Sequence, residues 1–130
     1  MRDLFISASH ETPQIDFEYS RHRLGLYGAS YPEDASRFYD PVRSSLETYL
    51  TALDPGARLV VTIGLHYVDR SSARLIRSLF DLFAVAAMNG PAISVKWLFD
   101  EDDDMMFEFG LDLGERYPPL NIEAVAVVSR

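Results

Sequence analysis

Residues 59–88, LVVTIGLHYVDRSSARLIRSLFDLFAVAAM, determine the fold class. From Leu59 to Val68 both alternating sets of side chains are largely apolar, which predicts a central β-strand covered on both faces. Asp69 is a typical helix N-cap, and an amphipathic helix is predicted from Arg70 to Met88. A strand that leads directly into a helix is the repeating unit of an α/β fold.

The rest of the chain continues this alternation of strands and helices. Strands are predicted at Ile15–Tyr19, Arg23–Tyr27, Ala92–Phe99 and Leu120–Val128, and helices at about Asp34–Leu53 and Asp103–Arg116. We therefore expect one α/β domain over residues 1–130, with the helices packed on a sheet.

Composition excludes several classes of protein. The chain has 130 residues, 20 acidic against 12 basic side chains, a net charge of −8 and no cysteine. Its acidity argues against a broad basic surface for nucleic acid, and the absence of cysteine excludes a thiol nucleophile or thiolate metal site. Apolar stretches such as residues 83–88 reach six residues, whereas a membrane span needs about 20. With no export signal visible, we expect a cytoplasmic protein without a membrane span.

An acidic run, Asp100–Asp104, supplies five of the negative charges. Aspartates are favourable at a helix start, so the run is expected to cap and open the helix that follows it. Two alternatives remain: docking to a partner, or a small enzyme that binds a divalent cation or another small ligand through these carboxylates.

Three arginines of the central helix form what we call the arginine stripe. At 100° per residue, Arg70, Arg74 and Arg77 fall with Asp81 on the narrow face opposite the apolar side. One interpretation is a solvated face in which Arg77 and Asp81 pair across one turn. The other is a docking surface for an acidic partner, since arginine is enriched at interfaces.

The start of the same helix carries hydroxyl groups. Asp69, Arg70, Ser71 and Ser72 lie where free backbone N–H groups and the helix dipole favour negative charge. A phosphate added there would change both the local field and the docking surface, which makes this a candidate phospho-switch. Ordinary N-capping is the alternative. The angles place Ser71 at the flank of the polar face and Ser72 toward the apolar side.

We expect neither catalytic residues nor a cofactor. The chain has no Gly-x-Ser-x-Gly nucleophile elbow and no glycine-rich phosphate loop. Its histidines, at positions 10, 22 and 66, lack the spacing of a zinc site.

Several motifs, in order, resemble one known family. Gly28-Ala29-Ser30-Tyr31-Pro32-Glu33-Asp34 is similar to the Gly-x-Ser-Tyr-Pro-Glu-Asn signature of the SiaC family of bacterial regulatory phosphoproteins. The other matching motifs are Tyr39-x-Pro41 with Tyr49-Leu50, Asp69-x-Ser71-Ser72, Leu79–Leu82 and Val95–Asp103. The resemblance spans about residues 12–123, nearly the whole chain.

The resemblance implies a fold like the STAS domains of anti-sigma-factor antagonists, with a mixed sheet of about four to six strands and helices mainly on one face. It also implies a non-enzymatic adaptor in a partner-switching system. In such a system a protein serine/threonine kinase phosphorylates the start of the second main helix, and a PP2C-type phosphatase removes the phosphate. The unphosphorylated form binds and activates a diguanylate cyclase, which raises cyclic-di-GMP and favours biofilm or aggregation.

The chain departs from the family at the phosphoacceptor. The family pattern Asn-Thr-Ser-Ser reads Asp69-Arg70-Ser71-Ser72 here, so Arg70 occupies the threonine position. Either Ser71 takes over as acceptor, or the chain stays in its unphosphorylated, partner-binding state, which the cation at Arg70 favours.

The expected partner surface combines the arginine stripe with the signature loop. It comprises Arg70, Arg74, Arg77, Tyr31 and Glu33, the last two placed near the helix start by the resemblance. We expect a monomer or weak homodimer. A structural homo-oligomer that pairs through Leu120–Val128 as an exposed edge strand is a further alternative.

Overall fold

The computed structural model describes residues 1–128 and contains one mixed sheet with three helices. The strands are β1 (Leu4–Ile6), β2 (Gln14–Glu18), β3 (Arg23–Ser30), β4 (Arg58–Val68), β5 (Ala92–Asp100) and β6 (Asn121–Val127). The helices are α1 (Ala35–Thr51), α2 (Arg70–Met88) and α3 (Asp104–Arg116). The predicted elements are confirmed, and the sequence reasoning missed the three-residue β1.

The six strands lie in chain order, β1-β2-β3-β4-β5-β6. The first three are antiparallel neighbours, and β3, β4, β5 and β6 are parallel, each joined to the next by one helix. Because the connections run in one direction across the sheet and such crossovers are right-handed, all three helices cover the same face. This confirms the expected α/β architecture with helices on one face.

The prediction that β4 is covered on both faces is wrong. Leu59, Val61 and Ile63 are buried under the helices, but Val60 between them is 40% exposed. The opposite face of the sheet carries no helix within residues 1–128. An apolar residue on each face of a strand therefore does not by itself establish two covering layers.

A bulge near the end of β4 reverses its alternation. Leu65 pairs with Gly28 and Tyr67 pairs with the next residue, Ala29, so His66 has no partner in β3. The extra residue moves Tyr67 off the buried side. Tyr67 is 53% exposed, although strict alternation groups it with Leu59 and Leu65.

A glycine fixes the C-terminal end of α2. Gly90, with φ at +123°, ends α2 in a conformation that favours glycine, and a Cβ there would lie 2.8 Å from Pro55. No helix within residues 1–128 is long and apolar enough to cross a membrane.

Helices α2 and α3 both start at the carboxyl ends of parallel strands, the edge at which open α/β sheets usually bind ligands.

Candidate functional site

The start of α2 is built around Asp69. Its Oδ1 accepts hydrogen bonds from the backbone N–H of Ser72 at 2.8 Å and from the Ser71 hydroxyl at 3.2 Å. Its own N–H donates to the carbonyl of Ser30 at 3.0 Å, which ties the helix start to the end of β3. Asp69 is therefore the N-cap that the sequence predicts.

A chain of buried hydroxyl groups lies beneath this cap. Ser30 Oγ donates to Ser72 Oγ at 2.8 Å, and the Tyr39 hydroxyl lies 2.7 Å from Ser30 Oγ. Because Ser30 donates its single hydroxyl proton to Ser72, Tyr39 is the donor in the second bond. Burial raises the pKa of Tyr39 to about 12, so this phenol remains protonated at neutral pH. The chain joins α1, β3 and α2.

The two serines of the candidate switch differ in access. Ser72 is fully buried and engaged with Ser30, as its angular position predicts. Ser71 is exposed and bonds to Asp69. Of these two hydroxyls, Ser71 is the one that a modifying enzyme can reach.

The arginine stripe divides into two parts. Arg70 and Arg74 are exposed, and neither has an ion-pair partner among residues 1–128. Arg77 is half-buried, and its guanidinium lies over the Phe109 ring, 5.0 Å from the centroid. Arg77 is therefore held by α3, whereas the first two arginines face solvent.

The predicted pair between Arg77 and Asp81 is wrong. Asp81 instead accepts a hydrogen bond of 2.6 Å from the hydroxyl of Tyr117, which also lies 3.1 Å from the carbonyl of Arg77. Burial and the hydrogen bond to Asp81 raise the pKa of Tyr117 to about 12. The buried Tyr117, directly after α3, thus binds the Asp81 carboxylate, which the one-turn spacing predicts to pair with Arg77.

The acidic run opens α3, as predicted. Asp103 is the N-cap, its Oδ1 accepting from the backbone N–H of Met106 at 3.0 Å. Asp100 Oδ1 accepts from the N–H of Asp102 at 2.9 Å, which shapes the turn before the helix. No group of three or more His, Asp or Glu side chains within residues 1–128 is arranged to hold a metal ion.

Between the two helix starts lies a depression of about 350 Å³, which we call the α2–α3 cleft. Its lining includes Arg70 and Ala73 from α2, Met105 and Phe109 from α3, and Tyr67 from the end of β4. Met105 is 84% exposed at its margin. Sequence reasoning missed this cleft, although Met105, an apolar residue directly after the acidic run, was a visible signal.

The signature loop lies beside the same helix start. The Tyr31 ring packs edge-to-face on Tyr67 with centroids 5.5 Å apart, and the Tyr31 N–H donates to the carbonyl of Glu11 at 2.8 Å. Tyr67 also lines the α2–α3 cleft. Tyr31 is half-buried and Glu33 exposed. The fold therefore brings Tyr31 to the margin of the α2 start, while Glu33 forms no ion pair within residues 1–128.

A model of the SiaC family regulatory phosphoproteins matches residues 6–127 of this chain. The chain belongs to the SiaC family. Membership makes it a regulatory protein and not an enzyme, as the sequence motifs predict.

Solved structures of SiaC show the same fold. SiaC of Pseudomonas aeruginosa matches with a TM-score of 0.84 and 27% identity, over 96% of this chain and 100% of that one. The crystal structure of the diguanylate cyclase SiaD in complex with its activator SiaC, also from P. aeruginosa, matches with a TM-score of 0.84 and 27% identity, over 95% of this chain and 100% of the matched chain. An uncharacterized protein of P. aeruginosa strain UCBPP-PA14 is 28% identical over 115 residues, 88% of this chain and 90% of that protein.

Proposed function

We propose that this protein binds and activates a diguanylate cyclase and thereby raises cyclic-di-GMP, favouring biofilm formation or aggregation. The observation that carries the proposal is a structural match. Over 95% of its length, the protein is similar to a chain in the crystal structure of the diguanylate cyclase SiaD in complex with its activator SiaC. In this proposal the protein acts in the cytoplasm as a monomer or weak homodimer.

The contact surface is proposed to centre on the exposed part of the arginine stripe. Arg70 and Arg74 are cations without ion-pair partners within residues 1–128 of an acidic protein, so they attract an acidic partner surface. Asp69, Ser71 and Ser72 build the helix start behind them. Tyr31, Glu33 and Arg77 complete the surface at its margins.

Arg70 supports a binding role because helix stability does not explain it. A cation in the first turn faces the positive end of the helix dipole, which disfavours it by about 0.3–1 kcal/mol. Asp69 already caps the helix without help from Arg70. An unfavourable charge at an exposed position is expected where a partner uses that charge.

We also propose that the system includes a kinase and a PP2C-type phosphatase. In this proposal Arg70 keeps the chain in its unphosphorylated, partner-binding form. Arginine cannot carry a phosphate ester, and Ser72 is fully buried. Ser71 is the alternative acceptor, since its hydroxyl is exposed. Intact-mass measurement of the protein from its native host is expected to show an unphosphorylated chain. A singly phosphorylated species that disappears in Ser71→Ala contradicts the proposal.

The binding proposal is tested with the host's diguanylate cyclase that is most similar to SiaD. Isothermal titration calorimetry and cyclic-di-GMP production from GTP are measured with wild type and with Arg74→Glu. We expect wild type to bind and activate, and Arg74→Glu to bind at least about tenfold more weakly, because like charges then face each other.

The matched control is Arg58→Glu. This charge reversal also lies at an exposed arginine, but at the first residue of β4, the strand end opposite α2. Its affinity is expected to equal that of wild type. Absence of binding by wild type, or equal loss in both variants, counts against the proposed function.

A further inference from the structure

We infer that the α2–α3 cleft receives an apolar side chain of the cyclase partner, and that this side chain is accompanied by a carboxylate on the α2 side. The inference deepens the proposed function and rests on it. It specifies the chemistry of the partner segment, an amphipathic segment with one apolar anchor and an acidic neighbour.

The cleft has the size and lining of an anchor pocket. Its volume of about 350 Å³ is at the lower end of the range for protein binding pockets. Ala73, Val68, Met106 and Phe109 make its walls largely apolar. Binding energy at interfaces concentrates where an apolar or aromatic anchor fills such a pocket and excludes water.

Met105 indicates that apolar side chains at the margin of the cleft are exposed to water in the free protein. It is 84% exposed, and Tyr67, which also lines the cleft, is 53% exposed. Methionine adapts its shape to different partners and is favoured at binding surfaces for that reason. Covering both side chains removes apolar surface from water, which favours association.

The charges on the two sides of the cleft determine the orientation of the occupant. On the α2 side, Arg70 has no ion-pair partner within the described residues, and the carboxylate of Asp69, which also lines the cleft, caps the helix through Ser72. On the α3 side, Asp103 lines the cleft and Asp104 follows it. An acidic group of the partner is therefore attracted to Arg70 and repelled from Asp103 and Asp104. A phosphate-rich ligand such as a nucleotide fits poorly, because its charge would face these aspartates.

The first test fills the cleft. Ala73→Leu places a larger side chain in the cleft, and Ala84→Leu makes the same change three turns further along the same face of α2, outside the lining residues. Both are titrated by calorimetry against the host cyclase most similar to SiaD, after thermal unfolding has verified that each is folded. We expect Ala73→Leu to bind at least about tenfold more weakly and Ala84→Leu to bind like wild type.

A second measurement does not depend on tolerance of a larger residue. Because the chain has no cysteine, Met105→Cys or Met88→Cys provides a single site for an environment-sensitive fluorophore. Met88 is 75% exposed at the opposite end of α2. Binding of the cyclase is expected to shift the emission of the label at position 105 to the blue and to leave the label at position 88 unchanged.

The outcomes separate the two proposals. Wild type that binds the cyclase while Ala73→Leu binds equally well and the label at 105 remains unshifted overturns the cleft proposal and leaves the proposed function intact. Wild type that does not bind overturns the proposed function itself. A selective loss in Ala73→Leu together with a selective shift at 105 supports both.

Discussion

Helices α2 and α3 begin at the same edge of the sheet, and each starts with an aspartate that caps it. Asp69 accepts a hydrogen bond from the N–H of Ser72 and Asp103 from that of Met106, at 2.8 and 3.0 Å. Beyond the cap they differ. Helix α2 continues with Arg70, whereas α3 continues with Asp104.

The two helix starts differ in whether helix stability explains their charge. Asp104 in the first turn of α3 is favoured by the helix dipole, so helix stability explains the acidic run. Arg70 at the same position of α2 opposes the dipole, so stability does not explain it. The more conspicuous charge cluster of the sequence is thus explained by helix stability, and the single unfavourable cation is the one in the proposed binding surface.

The two helix starts are also anchored to the protein interior by different buried side chains. Helix α3 rests on buried Trp97, whose Nε1–H donates to the carbonyl of Met106 at 2.8 Å. Gly110 permits this approach, since a Cβ there would lie 2.5 Å from the indole ring. Helix α2 is held by the chain of hydroxyls from Tyr39 through Ser30 to Ser72. One anchor is aromatic and the other polar.

The largest expected effect comes from breaking the aromatic anchor. Trp97→Ala removes a fully buried side chain and is expected to lower the free energy of unfolding by about 3–5 kcal/mol. Denaturant unfolding with linear extrapolation measures the change. Trp97→Phe keeps an aromatic ring but loses the hydrogen bond to Met106, so its loss should be smaller. A cost below about 1 kcal/mol for Trp97→Ala contradicts the role of this residue as the support of α3.

Breaking the polar anchor is expected to cost less. Ser30→Ala leaves the buried hydroxyls of Tyr39 and Ser72 without the bonds they make to Ser30, which we expect to cost about 2 kcal/mol. Denaturant unfolding again gives the value. Adding Tyr39→Phe to Ser30→Ala removes one of these orphaned hydroxyls and should recover part of the loss. If Ser30→Ala unfolds at the same denaturant concentration as wild type, the hydroxyl chain does not hold α2.

Most of the fold was predictable because its signals are local. Residues 70–88 show one apolar face bounded by Asp69 and by Gly90, so periodicity and end signals agree. The exposed second face of β4 was not predictable in the same way, since it depends on which side the crossovers take. The bulge at His66 was equally hidden, because it is a mismatch between two strands that are distant in sequence.

The candidate site was predictable in its charges and not in its contacts. The positions of Arg70, Arg74 and Ser72 follow from the helical angle alone. The engagement of Arg77 with Phe109, and of Asp81 with Tyr117, depends on where α3 packs. The α2–α3 cleft likewise exists because two helix starts meet at one sheet edge, which no local pattern encodes.

The smallest expected effect concerns the charge difference between the helix starts. Arg70→Ser removes the cation from the first turn of α2 and is expected to raise the free energy of unfolding by about 0.3–1 kcal/mol, because the dipole no longer opposes a charge. The same change is expected to weaken binding to the cyclase, so stability and affinity should move in opposite directions. Denaturant unfolding and calorimetry on one preparation measure both.

Arg74→Ser is the matched control for this comparison. It lies one turn further along α2, where the dipole effect has faded, so it should weaken binding without a gain in stability. The gain in Arg70→Ser should also shrink between 0.1 and 1 M salt, because the Debye length falls from about 10 to about 3 Å. A loss of stability in Arg70→Ser would mean that Arg70 supports the fold, and the difference between the two helix starts would then not identify the binding surface.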